Sequence, residues 1–401
     1  MATAGKQRVR MIIPVWGPFY IDRWLGFSFA SLRSAGNVPY LNEHFEFELA
    51  IITRSSDAEY MRSSLRFKQA MKGLSVKFII MDEFFPSSGQ IAYGVPLTLA
   101  YAKAILDLGE AGLGTYVILM NADVALASGS LKSVADRIDQ GYAIIATQAI
   151  RAIDGSARTA LGSWIGEGDG ILSIGSRDLM QIINANLHST ITARIINEPT
   201  IVDSTYYHQI FWRISDDCLA MRAFLIHPLC FRIDQLIEKV VCPVDYGFIS
   251  EFCPHGRYCS VGDSDDYLMI ELQERNSESH LLRVTPDDPT SSIRLARLER
   301  EIASHAQSWT TTEHRRSLTQ TFLYHEKDLP PDIAQRLAPF DAFIVKMETR
   351  LSSAVSHIGH FQWLPAVRIY RQEMRKDGNL ESVLLLDDPR NGELSSVDGP
   401  H

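Results

Sequence analysis

The sequence predicts an α/β protein, a mainly parallel sheet flanked by helices with a helical appendage after it. Three observations lead there. Four strand-like stretches alternate with three helix-like ones in the first 125 residues. Each of those strands runs into polar or turn-forming residues at its C-terminal end, and the texture becomes helical after the Pro286-Asp-Asp-Pro289 punctuation.

The first strand is Val9-Arg-Met-Ile-Ile-Pro-Val-Trp-Gly17, ended by Pro14 and Gly17, and residues 21–35 carry helical apolar spacing. A second strand over 47–53 meets the turn Arg54-Ser-Ser-Asp57, with a helix predicted through Met71. The third strand, 76–81, ends at Asp82-Glu83. A helix follows with Pro96 in its first turn, Leu97, Tyr101, Ala104, Ile105 and Leu108 on one face, and Gly112 to close it. The fourth strand, 115–120, runs into Asn121-Ala-Asp123. Behind it Ser128-Gly-Ser130, Leu131, Val134, Ala135, Ile138 and Gly141 read as a capped helix with a glycine stop. Right-handed crossovers then bring all four strand ends to one edge, which gathers Trp16, Thr53, Asp82 and Asp123.

An aspartate on such a loop can hold a hard divalent cation, and the cation can neutralise a diphosphate. Asx turns at a strand end account for Asn121 and Asp123 equally well. A net charge of -9 excludes nucleic acid as the main partner, because phosphate backbones are held by basic surfaces. Five cysteines, 218, 230, 242, 253 and 259, suit a reducing cytoplasm better than a disulfide scaffold. The first ten residues are polar and basic, and no stretch reaches the roughly 18 to 20 apolar residues of a membrane span. A cytoplasmic protein is expected, peripheral to the inner membrane at most. At 401 residues the division expected is an α/β sheet domain over 1–285, a helical appendage over 286–378 and a disordered tail over 379–401.

Beyond the fourth strand, residues 142–146 read as another strand, and Gly162-Ser-Trp-Ile-Gly-Glu-Gly-Asp-Gly170 as a loop or turn near the site. Sugar contacts from Trp164, Glu167 and Asp169 are one reading of that run. In 215–271, Asp245, Asp265 and Asp266 are the carboxylates available as a general base. Gly262-Asp-Ser-Asp-Asp266 is equally a solvated helix start. A zinc site from Cys242, Cys253, His255 and Cys259 lacks any C-x₂-C pair. Residues 361–376 mix aromatic with basic side chains, which fits either a solvated helix or contact with an anionic membrane surface.

Ile12-Ile-Pro-Val-Trp-Gly-Pro-Phe-Tyr20 followed by an amphipathic helix resembles the opening of GT-A glycosyltransferases, and Val117-Ile-Leu-Met-Asn-Ala-Asp123 resembles their fourth strand with its DxD motif. The resemblance spans about residues 9–275 in order and spacing, and it implies a GT-A, Rossmann-like sheet. It implies a nucleotide-sugar donor cradled by Pro14, Val15 and Trp16; Thr53, Asp82 and Asn121, at the same strand-end edge, are further candidates to meet the nucleotide, and an ordinary strand-end turn accounts for Asp82 equally well. Asp123 would bind Mn²⁺ or Mg²⁺, and His227 or His255 would complete the metal shell. The acceptor would be the hydroxyl of a glycan or glycolipid in bacterial surface polysaccharide synthesis. Asn121 departs from the first aspartate of the motif, and Thr53-Arg54 from an acidic pair at the second strand end. A sugar-phosphate nucleotidyltransferase is the other enzyme reading, against which the first loop lacks a glycine-rich run and a basic end. A catalytically silent nucleotide- or carbohydrate-binding protein is the non-enzyme reading.

Overall fold

A computed structural model describes residues 5–85, 94–198, 201–204, 209–223, 229–275, 282–285, 292–307, 312–351, 360–378 and 385–386. The strands in chain order are β1 (Arg8–Pro14), β2 (Glu46–Thr53), β3 (Ser75–Ile80), β4 (Tyr116–Leu119), β5 (Val124–Leu126), β6 (Ile144–Ala146), β7 (Ala149–Ile153) and β8 (Ile201–Ser204). They continue with β9 (Gln209–Ser215), β10 (Cys218–Ala223), β11 (Leu229–Arg232), β12 (Tyr258–Ser260), β13 (Met269–Gln273), β14 (Leu282–Thr285) and β15 (Phe322–His325).

The central sheet has seven strands in the order β12-β6-β11-β4-β1-β2-β3. All run parallel except β11, which is antiparallel to both β4 and β6. The mixed α/β architecture with a mostly parallel sheet flanked by helices is therefore present, and one reversed strand is its departure from uniformity.

The near-continuous apolar runs follow from burial of the sheet on both faces. Met11 and Ile13 join one core with Leu49, Ile51, Tyr116 and Ile118, while Ile12 joins the opposite core with Ala50, Ile52, Val117 and Leu119. The period of two thus splits each strand between two helical layers. Ile21, Trp24, Leu25 and Phe29 cover the first face. They lie on a continuous helical run, Pro18–Arg23, Trp24–Ser28 as a π turn, and Phe29–Leu32. The helix Gly94–Leu106 covers the second face with Val95, Leu99 and Ile105.

Two three-stranded sheets and the antiparallel pair β14-β8 extend the fold. β5-β13-β7 continues from the fourth strand, and β15-β10-β9 joins the chain beyond residue 286 back to the middle of the protein. Helices Ser292–Gln307 and Ile333–Glu348 pack over the latter through Leu298, Ile302, Phe340 and Met347. The C-terminal region is thus helical, as expected, and also contributes a strand. The helix His360–Lys376 lays Trp363, Val367, Tyr370 and Met374 into the core of Gly94–Leu106. Its aromatic residues Trp363 and Tyr370 are core residues, and Arg368, Ile369, Arg375 and Lys376 are exposed. Most of the expected tail lies outside the described residues, and Leu386 bridges to Val240. Among the described residues no helix is long and apolar enough to cross a membrane.

Candidate functional site

A cavity of about 540 Å³ opens at the C-terminal edge of the central sheet, within the size range of small-molecule sites. One wall is the end of β1 with Pro14, Val15 and Trp16, and the floor is Asn121, Ala122 and Asp123 between β4 and β5. These two stretches, 107 residues apart at Pro14 and Asn121 by their numbering, meet because β1 and β4 are neighbours in parallel register, with Ile12 opposite Leu119.

The turn after β1 is held rather than loose. The Val15 amide donates to the Ile52 carbonyl at 2.9 Å. The Gly17 amide donates to the buried Asp57 carboxylate at 2.9 Å. Gly17 takes a φ of +81°, a left-handed value that suits glycine. Trp16 is half-buried against Phe85, with ring centroids 5.8 Å apart, and still lines the cavity.

The floor is equally constrained. Ser28 Oγ donates to the Ala122 carbonyl, and the Leu272 amide donates to the Asp123 carbonyl at 3.2 Å. The buried Tyr101 hydroxyl lies 3.3 Å from both the Met120 carbonyl and Asn121 Oδ1, to which it donates. Asp123 is exposed. Burial holds the Tyr101 phenol well above its ordinary pKa, and the charges of Asp245 and then Asp123 push the same way. Two carboxylates therefore impress a negative field on this end of the cavity. Asp245 opens the helix Val244–Phe252, and the amide of its neighbour Val244 donates to Thr98 Oγ1 at 3.3 Å, one residue from the cavity-lining Leu97.

The opposite wall holds groups that sequence patterns did not single out: Arg23, Asp154, Arg158 and Glu274. Asp154 begins the helix Asp154–Gly162. Its carboxylate pairs with Arg23 through one oxygen and with Arg158 through the other, the latter at 2.5 Å from Nη2 and 3.0 Å from Nε. Arg158 lies over the Phe27 ring at 4.7 Å and Arg23 over Phe19 at 5.7 Å. Burial lowers the pKa of both guanidiniums, and the nearness of Arg158 lowers that of Arg23 further, while Glu274 opposes this. Both remain charged at any accessible pH.

Other expected site residues lie elsewhere. Thr53 is fully buried, with its carbonyl accepting from the Met81 amide at 3.1 Å. Asp82 accepts from the Ser55 amide at 3.0 Å and caps the helix Ser55–Ser63 from outside it. Neither lines the cavity. Asp265 and Asp266 sit at the far end of β13 from Glu274. Asp265 pairs with Arg177 at 2.9 Å and Asp266 with Arg137 at 3.4 Å, so both serve ion pairs outside the cavity. His255 precedes β12, which puts it on the sheet edge opposite Asp123. His227 lies outside the described residues. From the glycine-rich run, Trp164, Glu167 and Asp169 stay away from the cavity wall, and Asp169 shapes its own turn by accepting from the Ile171 amide at 2.9 Å.

Asp263, Asp265 and His325 bring one ligand-type atom each within 4.8 Å of one another. Protein groups already engage them: His325 Nε2 to Asp263 at 2.9 Å, His325 Nδ1 to the Lys327 carbonyl at 2.6 Å, and Arg177 on Asp265. The group ties β15 to the loop after β12.

No family model and no curated protein matches the chain. Among solved structures it is similar to mannosyltransferase PcManGT from Pyrobaculum calidifontis in complex with GDP-Man and Mn²⁺, at 11% identity over 94% of this chain and 86% of that one, with a TM-score of 0.33. It is similar to mouse xyloside xylosyltransferase 1 at 10% identity over 39% of this chain and 58% of that one, TM-score 0.24. A third is 4-diphosphocytidyl-2C-methyl-D-erythritolsynthase from Anaerococcus prevotii, at 12% identity over 37% and 61%, TM-score 0.23. The chain spans less than two thirds of the latter two proteins. Likeness at these TM-scores does not bear on activity.

Proposed function

We propose that the protein is a glycosyltransferase of the GT-A type, which moves a sugar from a nucleotide donor to a saccharide hydroxyl with the help of a divalent cation. The observation that carries this reading is the single cavity lined by both Pro14-Val15-Trp16 and Asn121-Ala122-Asp123. Trp16 offers a half-buried ring for a base or ribose, on a turn fixed by Asp57 and Ile52.

The donor atoms at the floor fit Mg²⁺ or Mn²⁺. Asp123 and Asn121 offer oxygen alone, and few protein ligands suit a cation that keeps waters and phosphate oxygens in its shell. Bound there, the cation would supply charge to stabilise a departing nucleoside diphosphate. Asn121 contributes no charge, so Asp123 bears the cation's affinity. Tyr101 holds Asn121 Oδ1 in place. Glu274 lines the cavity and is the carboxylate proposed to take the acceptor's proton, with Asp245 as a second carboxylate near the floor. Asp154 is engaged by two guanidiniums and is unsuited to that task. An acceptor in bacterial surface polysaccharide or glycolipid synthesis remains part of this proposal.

Calorimetric titration of UDP, GDP, CDP and CMP, with and without Mn²⁺, tests the reading on wild type and Asp123→Ala. One nucleotide should bind with metal and lose that binding in the variant. Binding of none, or binding indifferent to both metal and Asp123, would remove the site assignment.

A further inference from the structure

Two guanidiniums share one carboxylate on the cavity wall, an arrangement the proposed sugar transfer does not by itself require. Each oxygen of Asp154 serves one arginine, so the two guanidiniums share a single ion-pair partner there. Both side chains are 30% exposed and line the cavity. Their stacking on Phe19 and Phe27 and their common hold on Asp154 fix two planar donors side by side. Such a pair matches the bidentate geometry of a carboxylate or phosphate.

Two exposed aromatics adjoin it. Phe19 and Tyr20 are 67% and 61% exposed, their rings meet edge to face at 5.3 Å, and Tyr20 lines the cavity. Large rings left in water beside a cavity mark a contact surface, and a ring face suits the apolar side of a sugar.

We propose that Arg23 and Arg158, bridged by Asp154, receive a carboxylate or phosphate on the acceptor saccharide, whose ring rests on Tyr20 and Phe19. The acceptor class is then an anionic glycan, such as a uronic-acid or sugar-phosphate chain. The assignment rests on the proposed nucleotide-sugar site and adds a substrate class to it. The exposed rings of Phe19 and Tyr20 beside the pair favour a saccharide over the donor diphosphate as occupant.

Saturation-transfer NMR on the protein loaded with Mn²⁺ and the nucleotide that binds can test this with galactose, galacturonate and galactose 6-phosphate as probes. The two acids should bind at least tenfold more tightly than galactose, and Arg158→Gln should weaken them at least tenfold. The neutral–acid comparison needs no variant and so survives any folding defect in Arg158→Gln. Equal binding of all three probes, or of none, would overturn the inference. So would an Arg158→Gln variant that loses nucleotide affinity as much as acid affinity, which would give the pair to the diphosphate. Selection for the acidic group of a nucleotide uronate over its neutral counterpart, without selection among free sugars, would place the anion on the donor and overturn the acceptor assignment. Failure of the nucleotide itself to bind wild type is a separate result and counts against the glycosyltransferase reading.

Discussion

Asp57 shows how a residue outside any motif can set a site: its buried carboxylate holds the Gly17 amide and with it the turn that presents Trp16. In sequence it is one polar residue in a turn. Asp123 was legible because an Asn-Ala-Asp triplet cannot continue a buried strand. Arg23, Asp154, Arg158 and Glu274 were not, since a charged residue on a helix face looks the same whether it meets water or a partner 131 positions away, the separation of Arg23 from Asp154. At the same scale, His325 and Asp263 make a pair whose strength depends on pH. The hydrogen bond that His325 donates to Asp263 raises the His325 pKa, and the same bond is the first cause lowering the Asp263 pKa. The histidine's contribution is complete below its unfolded value of about 6.5 and is lost as pH rises through the higher folded value. The aspartate's is complete above about 3.9 and is lost as pH falls through its lower folded value. Urea unfolding of wild type and His325→Gln should therefore differ most between about pH 3.9 and about pH 6.5, and the difference should shrink as pH rises through the histidine's raised folded value. A difference that does not change with pH would contradict an ionised pair.

At the scale of elements, β1 to β4 and β6 and their order of entry followed from local signals, because apolar runs and turn residues act within a few positions. Caps are less local. The helix Ser130–Asp139 was expected to be capped by its own serines, and its N-cap Gly129 makes no side-chain bond. Instead Asn37, fully buried, accepts from the Leu131 amide at 3.0 Å and donates to the Ala127 carbonyl at 3.1 Å. Gly36 beside it has a φ of +77°, and a Cβ there would stand 2.7 Å from the Gly129 Cα. Gly36→Ala should cost at least about 1 to 2 kcal/mol from the left-handed backbone alone, and more from the backbone contact. Chemical denaturation measures it, and a loss below half a kcal/mol, roughly the level of a neutral surface change, would show that the two loops separate freely.

Across the whole molecule, the helical texture after residue 286 was legible in sequence, while the way those helices interlock with the sheet was not. Pairing of β15 with β10, and the seat of Trp363 and Tyr370 under the sheet, are long-range contacts that no periodicity encodes. Tyr370 also donates to the Phe84 carbonyl at 2.9 Å, which links the last helix to the loop after β3. The mix of aromatic and basic residues over 361–376 resolves into an inward face and an outward one. Trp363→Ala should destabilise the protein by about 3 to 5 kcal/mol. Through the helix Gly94–Leu106 it should also weaken the cavity that Leu97 lines. Thermal unfolding with and without nucleotide reads both effects, and a shift near zero would mean that Trp363 is not part of the core.

The central claim, that this cavity transfers sugar from a nucleotide donor, is most directly tested by product analysis. Wild type and Glu274→Gln would be given a panel of nucleotide sugars with Mn²⁺, and nucleoside diphosphate and free or transferred sugar quantified. One donor should yield nucleoside diphosphate, with the variant slower by about 10² to 10⁴-fold. Pyrophosphate release from a nucleoside triphosphate and a sugar 1-phosphate, with no donor consumed, would contradict sugar transfer and identify a nucleotidyltransferase instead.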